Sequence, residues 1–241
     1  MSEPKITDLV PLPEGGALVE LDPLVNDPNI DSDDIVVPSL SLLQGQSPEV
    51  LAGNGRPGQF FDSQQGIALV PPLKAIVAWH GKTRFKGRGK PQGTEMCRSS
   101  DMVHGSVYGL CETCQYKEWQ ELDNGRRKAP SCAQNQVFVL HTTSGPLMLR
   151  MKNKAEKYAR MFLTQKAALQ RNFWQHPVVL RVKSEAGKDE GGNPTTYFAA
   201  TISWLLEEVV PEATRVAAKR LHEALQDAAE VGRLQTTEES D

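Results

Sequence analysis

Apolar residues in this chain fall into short, regularly spaced runs through the middle and thin out toward both ends. Residues 73–79 (LKAIVAW) are rich in β-branched and aromatic side chains, which predicts a strand. Residues 137–141 (VFVLH) predict a second. Residues 142–145 supply a turn and residues 146–151 start a third strand, so the last two read as a hairpin. The period then changes from two to a helical one. Behind a capping Asn153, the residues Ala155, Tyr158, Ala159, Phe162, Ala167 and Leu169 predict a helix over about 154–171. Residues 178–182 and 196–205 predict two more strands around a glycine-rich polar loop. Residues 212–231 form an amphipathic helix through Val216, Leu221, Ala224, Leu225, Ala228 and Val231, ending near Gly232.

Three strands, a helix and two strands is the element order of an oligonucleotide-binding (OB) barrel, and other small barrels or mixed folds share it. The expected fold class is mainly β (α+β): a five-stranded OB-like barrel, with one helix between strands 3 and 4, an insertion between strands 1 and 2, and a C-terminal helix. Residues 1–34, rich in Pro, Asp, Asn and Gly, are expected to be a disordered acidic arm. The barrel domain is expected to occupy 35–206 with its insertion at 95–133, and 207–241 to hold the C-terminal helix and an acidic tail.

Charge sharpens this outline. The net charge is -3, but it is strongly segregated. Residues 1–73 carry two basic and eleven acidic side chains, residues 74–183 carry twenty and seven, and residues 184–241 carry five and twelve. A basic middle between acidic ends suits a polyanionic partner; pairing of the basic face with the chain's own acids is the alternative. No apolar run is long enough for a membrane span, and the N-terminus lacks the pattern of a signal peptide, so a soluble cytoplasmic protein is expected, with no membrane partner.

All four cysteines lie within residues 97–132. Cys111 and Cys114 form a Cys-x-x-Cys pair that can offer two thiolates from one turn, and Cys97 and Cys132 can complete a tetrahedral sphere. Four thiolates leave no open position, so the expected cofactor is a structural Zn2+, and its binding would fold a segment with no core of its own. Iron satisfies the same ligand types, His104 could replace one cysteine, and free thiols are the plainer alternative.

The stretch 80–90 (HGKTRFKGRGK) alternates cations with small or aromatic residues, and no carboxylate occurs between Lys74 and Glu95. In an extended ribbon Lys82, Arg84, Lys86, Arg88 and Lys90 would share a side along which phosphates could run. Trp79, Phe85 and Trp119 could then stack unpaired bases. A second basic set, Lys152, Lys154, Lys157 and Arg160 with Arg150, gathers on the predicted helix and its approach. A merely solvated charged loop and helix face would look the same. The acidic tail could compete with phosphate for the groove or recruit partners.

No phosphate-binding loop, nucleophile elbow, zinc-protease helix or deaminase signature is present, so no catalytic residues and no enzyme activity are expected. Residues 37–50 (VPSLSLLQGQSPEV), residues 57–61 (PGQFF) and the cysteine segment followed by a lysine-bearing helix resemble bacteriophage-type single-stranded-DNA-binding proteins. The resemblance covers about 35–205 and implies a barrel that coats single-stranded DNA in replication or recombination. It also implies recruitment of replication or recombination proteins by an acidic C-terminus, although only Glu238, Glu239 and Asp241 are acidic here and no terminal Phe follows. A zinc-ribbon transcription or polymerase accessory factor is the alternative, and a nuclease a more distant one.

Overall fold

The computed structural model describes residues 7–8, 37–86, 96–99, 102–121, 125, 127–128, 130–142, 145–188 and 193–230. The strands preceding the cysteine segment are β1 (Thr7–Asp8), β2 (Ser39–Leu42), β3 (Phe60–Asp62), β4 (Ile67–Leu69) and β5 (Leu73–Lys86). Within it lie β6 (Cys97–Ser99), β7 (His104–Gly105), β8 (Gly109–Leu110), β9 (Gln120–Glu121) and β10 (Arg127–Lys128). After it come β11 (Cys132–Thr142), β12 (Gly145–Met151), β13 (Val178–Lys188) and β14 (Pro194–Trp204). The helices are α1 (Pro48–Leu51), α2 (Glu156–Leu169) and α3 (Glu212–Glu230).

The fold is mainly β, built on one curled, barrel-like sheet. Its strand order is β14-β13-β5-β11-β12-β2-β3-β4, with β1 and β6 also paired to β5. Ten strands therefore take part, where five were expected. Four of the five additions come from the N-terminal third, and β6 from the cysteine segment: β2 pairs in parallel with β12, and the β2-β3-β4 meander extends the sheet beyond it. The side-chain amide of Gln44 then bridges to β14. Its Nε2 donates to the Phe198 carbonyl at 2.9 Å and its Oε1 accepts from the Phe198 amide at 3.0 Å, so a carboxamide acts as a peptide group across the two limbs. The arm contributes too. The β11 ladder stops at Ile76, and Thr7 and Asp8 pair in parallel with Leu73 and Lys74 beyond it, so these two arm residues are ordered. The rest of the arm, 9–34 included, lies outside the described residues.

Both faces of the central strands are covered, which is why they read as nearly continuous apolar runs. Phe138, Leu140, Leu147, Leu149 and Met151 point into the main core with Phe60, Leu73, Val77, Phe162, Leu180 and Ile202. Val137, Val139 and Met148 point the other way, where with Val37 and Trp79 they meet Leu225 and Leu221 of α3. A bulge shifts the phase of β5: Val139 opposes Trp79 while Leu140 opposes Val77, leaving Ala78 as the extra residue. Trp79 is thereby turned to the helix side and His80 to the core side. The helix supports this kink, since His222 Nδ1 donates to the Ala78 carbonyl at 2.8 Å. Gly81 is required beneath the indole, as a Cβ there would lie 1.9 Å from Trp79 Cη2. Among the described residues, no helix is long and apolar enough to cross a membrane.

Candidate nucleic-acid interface

Beyond the bulge, β5 and β11 continue as a two-stranded ribbon. His80, Lys82, Arg84 and Lys86 lie opposite Phe138, Gln136, Gln134 and Cys132, so the side chains of these eight residues share one face. Lys82 is exposed and Arg84 half-buried. Successive cations on one face of a strand are about 6.6 Å apart, a spacing an extended phosphate backbone can follow. At the base of the ribbon His80 Nε2 meets Gln136 Oε1 at 2.8 Å, and its ring lies 4.9 Å from that of Phe138. Burial pushes the His80 imidazole down, against the Gln136 hydrogen bond and with the help of the Lys82 and Lys166 charges. His80 is thus a neutral floor at neutral pH. Lys166, from the last turn of α2, lies 4.7 Å over the Phe173 ring beside it.

The second basic set is divided by its partners. Lys157 donates to Glu185 of β13 at 2.9 Å, and Arg160 pairs with Glu156 one turn back at 2.6 Å. Both are paired with the chain's own acids, Arg160 with Glu156 of its own helix and Lys157 with an acid from another element. Tyr158 Oη also donates to Glu185, and the two hydrogen bonds, Tyr158 first and Lys157 second, pull that carboxyl down to about 2. Lys152 and Lys154 remain exposed. Lys154 donates to the Ala186 carbonyl and lies 5.0 Å over the half-exposed ring of Tyr197 on β14. Lys183 stands 5.8 Å over Tyr158.

The aromatic candidates separate in the same way. Trp79 is a core residue under α3, not a stacking platform. Phe85 is half-buried with the Arg98 guanidinium 6.0 Å over its ring. Trp119 is 61% exposed. Lys86 is buried and is not a phosphate contact. Arg88 and Lys90 lie outside the described residues, as does the acidic tail. Lys166, Lys183 and Tyr197 escaped the sequence reading: only the packing of α2 and the β13-β14 hairpin against the sheet brings them beside the others.

The four cysteines are free thiols bordering one small cavity, together with Arg84, Lys86, Arg98, Ser99, Gly105, Gly109 and Tyr108. Cys97 on β6 and Cys132 on β11 flank Lys86 on β5. Two ladder spacings, about 9.5 Å, separate their backbones, too far for a disulfide. Cys111 and Cys114 close a turn, with the Cys114 amide donating to the Cys111 carbonyl at 3.4 Å. Gly105 belongs at the cavity wall because a Cβ there would come within 2.7 Å of Cys97 Sγ. Burial raises the Cys132 thiol, against the lowering effect of the Arg84 charge. His104 is exposed on the adjoining hairpin. Among the described residues, no three His, Cys or acidic side chains are grouped closely enough in this arrangement to hold a metal ion. The donor set itself suits a thiophilic dication: four sulfurs outside any disulfide border one cavity, three of them on buried residues.

No protein-family model matches the chain, and neither a curated protein nor a solved structure matches it.

Proposed function

We propose that this chain is a non-enzymatic single-stranded-DNA-binding protein that coats single strands without reading their sequence, in DNA replication or recombination of the bacteriophage kind. The observation that carries this reading is the cationic face of the β5-β11 ribbon. Lys82 and Arg84 share that face, and Lys166 joins them across the neutral His80 floor. α2 spans about 21 Å, and it leads from Lys166 to the Lys154-Tyr197 pair at its other end. Phosphates would follow the cations, while Trp119 and Tyr197 offer ring faces to bases whatever their identity. The ribbon and the β13-β14 hairpin correspond to the two loops with which an OB-like barrel grips oligonucleotides.

Cys97, Cys111, Cys114 and Cys132 would hold a structural zinc ion, which when bound ties β6, β11 and the 111–114 turn together. The chain's own residues do the binding: the cations neutralise phosphate, and α3 closes the opposite face of the sheet around Trp79. A second reading, a zinc-ribbon accessory factor for transcription or a polymerase, draws on Val103, Val107, Leu110 and Trp119, which are all exposed on the cysteine segment and would suit a protein partner.

Titration of labelled oligo-dT, duplex DNA and RNA at two salt concentrations, with metal content measured on the same sample, tests the proposal. The expected result is tight, salt-dependent binding to oligo-dT, weak binding to duplex, and one zinc per chain. Equal affinity for duplex and single strand would overturn it.

A further inference from the structure

Lys183, Glu185 and Gly187 alternate along one face of β13, opposite Ala199, Tyr197 and Thr195 of β14. The start of α2 and the turn before it meet that face, Lys154 through the Ala186 carbonyl and Lys157 and Tyr158 through Glu185. Two donors converge on a single oxygen: the Lys157 ammonium, at 2.9 Å, and the Tyr158 hydroxyl both donate to Glu185 Oε1. The Tyr158 ring gathers a second cation, with the Lys157 ammonium 4.8 Å and the Lys183 ammonium 5.8 Å from its centre.

Two ammonium groups and a phenol hydroxyl around one anionic oxygen form a donor set that suits a phosphodiester oxygen equally well. The two hydrogen bonds hold the Glu185 carboxyl at about 2, so at neutral pH it is as fully ionised as a phosphodiester. The arrangement is not sealed from water, because Lys157 and Lys183 are exposed and Glu185 is half-buried. An ion pair this open is held only weakly, and an anion that brings further contacts of its own can displace the carboxylate. A single strand brings them. Tyr197 stands directly opposite Glu185 in the ladder, with Lys154 over its ring, so a neighbouring base and phosphate have places beside the exchanged one.

We propose that Lys157, Lys183 and the Tyr158 hydroxyl form a phosphate seat for the DNA backbone, which Glu185 occupies in the free protein and vacates when a single strand binds. This inference rests on the single-stranded-DNA reading above. One anion replaces another in the exchange, so the seat adds little to the salt dependence of the unsubstituted chain. Glu185 thereby sets a threshold that favours a strand with several contacts over an isolated phosphate.

The test measures oligo-dT affinity across salt concentrations for the unsubstituted chain, Glu185→Gln, Lys157→Ala and the double variant. Glu223→Gln, an equal change of charge at an exposed position on α3, is the control. Glu185→Gln should bind roughly 2- to 5-fold tighter at low salt. Its log-log salt slope should be steeper by about 0.7, because a phosphate then neutralises a cation that no carboxylate holds. Both changes should vanish when Lys157→Ala is added, and Glu223→Gln should show neither. A second readout needs no substitution: carbodiimide labelling of carboxylates, resolved by peptide mass spectrometry, should find Glu185 several-fold more reactive once oligo-dT is bound. Unchanged affinity and slope in Glu185→Gln, a gain that survives Lys157→Ala or appears in Glu223→Gln, or unaltered Glu185 labelling overturns the phosphate seat and leaves the single-strand reading intact. An unsubstituted chain with no salt-dependent affinity for oligo-dT overturns the reading beneath it.

Discussion

Replacing Lys82 by alanine isolates one phosphate contact. Lys82 is exposed on the ribbon face, so its loss should leave stability within about 0.5 kcal/mol. If its ammonium neutralises one phosphate of a bound single strand, the slope of log affinity against log salt becomes shallower by about 0.7. Between 50 and 200 mM salt that amounts to roughly a 2.6-fold smaller loss of affinity than in the unsubstituted chain. Lys157→Ala is the matched control. Its ammonium is already paired with Glu185 at 2.9 Å, so its removal should change the slope much less. Fluorescence anisotropy of labelled oligo-dT at five or six salt concentrations resolves the difference. Equal slopes for Lys82→Ala and the unsubstituted protein, or a larger change at Lys157 than at Lys82, would refute the assignment of the ribbon as the phosphate track.

Three further outcomes are expected. The two tryptophans should separate stability from binding: Trp79→Ala, cut from the cluster under α3, should destabilise the fold by about 3–5 kcal/mol in chemical denaturation. Trp119→Ala should leave denaturation unchanged and weaken oligo-dT binding by about 1–3 kcal/mol. Gln44→Leu removes both hydrogen bonds that join the N-terminal limb to Phe198, and should cost about 1–3 kcal/mol, measured by the same denaturation and by faster hydrogen exchange in β14. Glu185 gives a pH signature. Its folded carboxyl lies below the ordinary value of 4.5, at about 2, so its contribution is complete above 4.5 and is lost as pH falls toward about 2. Thermal melts of Glu185→Gln should therefore lose less stability than the unsubstituted chain between pH 5 and pH 2.5, and parallel losses would contradict a stabilising role for the Glu185 carboxylate between Tyr158 and Lys157.

Much of the scaffold was legible because its elements announce themselves locally. The runs beginning at Leu73 and Val178, the hairpin at 132–151, α2 and α3 all fall where period places them, although Asn153 lies in a 3-10 turn before α2 and does not cap it. The features that were not legible depend on contacts distant in sequence. The bulge at Ala78 reverses which side of β5 each residue faces, and nothing in the run itself signals it. That reversal is what turns Trp79 from a platform into a core residue. Lys86 obeys the alternation that predicts it to be a surface cation, but it is buried because the cysteine segment folds back as β6 and brings Tyr108 and Tyr116 over it. Lys157 finds its neutralising acid 28 residues away on strand β13, beyond any reading of helix neighbours. The β2-β3-β4 meander is too short for periodicity to reveal, although Pro57-Gly58-Gln59-Phe60-Phe61 marks its turn.

The central claim is that the ribbon face, and not the α3 face, meets the polyanion. Amine-reactive footprinting of the intact protein with and without bound oligo-dT tests it most directly. Lys82, Lys154 and Lys166 should become protected while Lys219 on α3 stays reactive; protection at Lys219 with Lys82 unchanged would contradict the account.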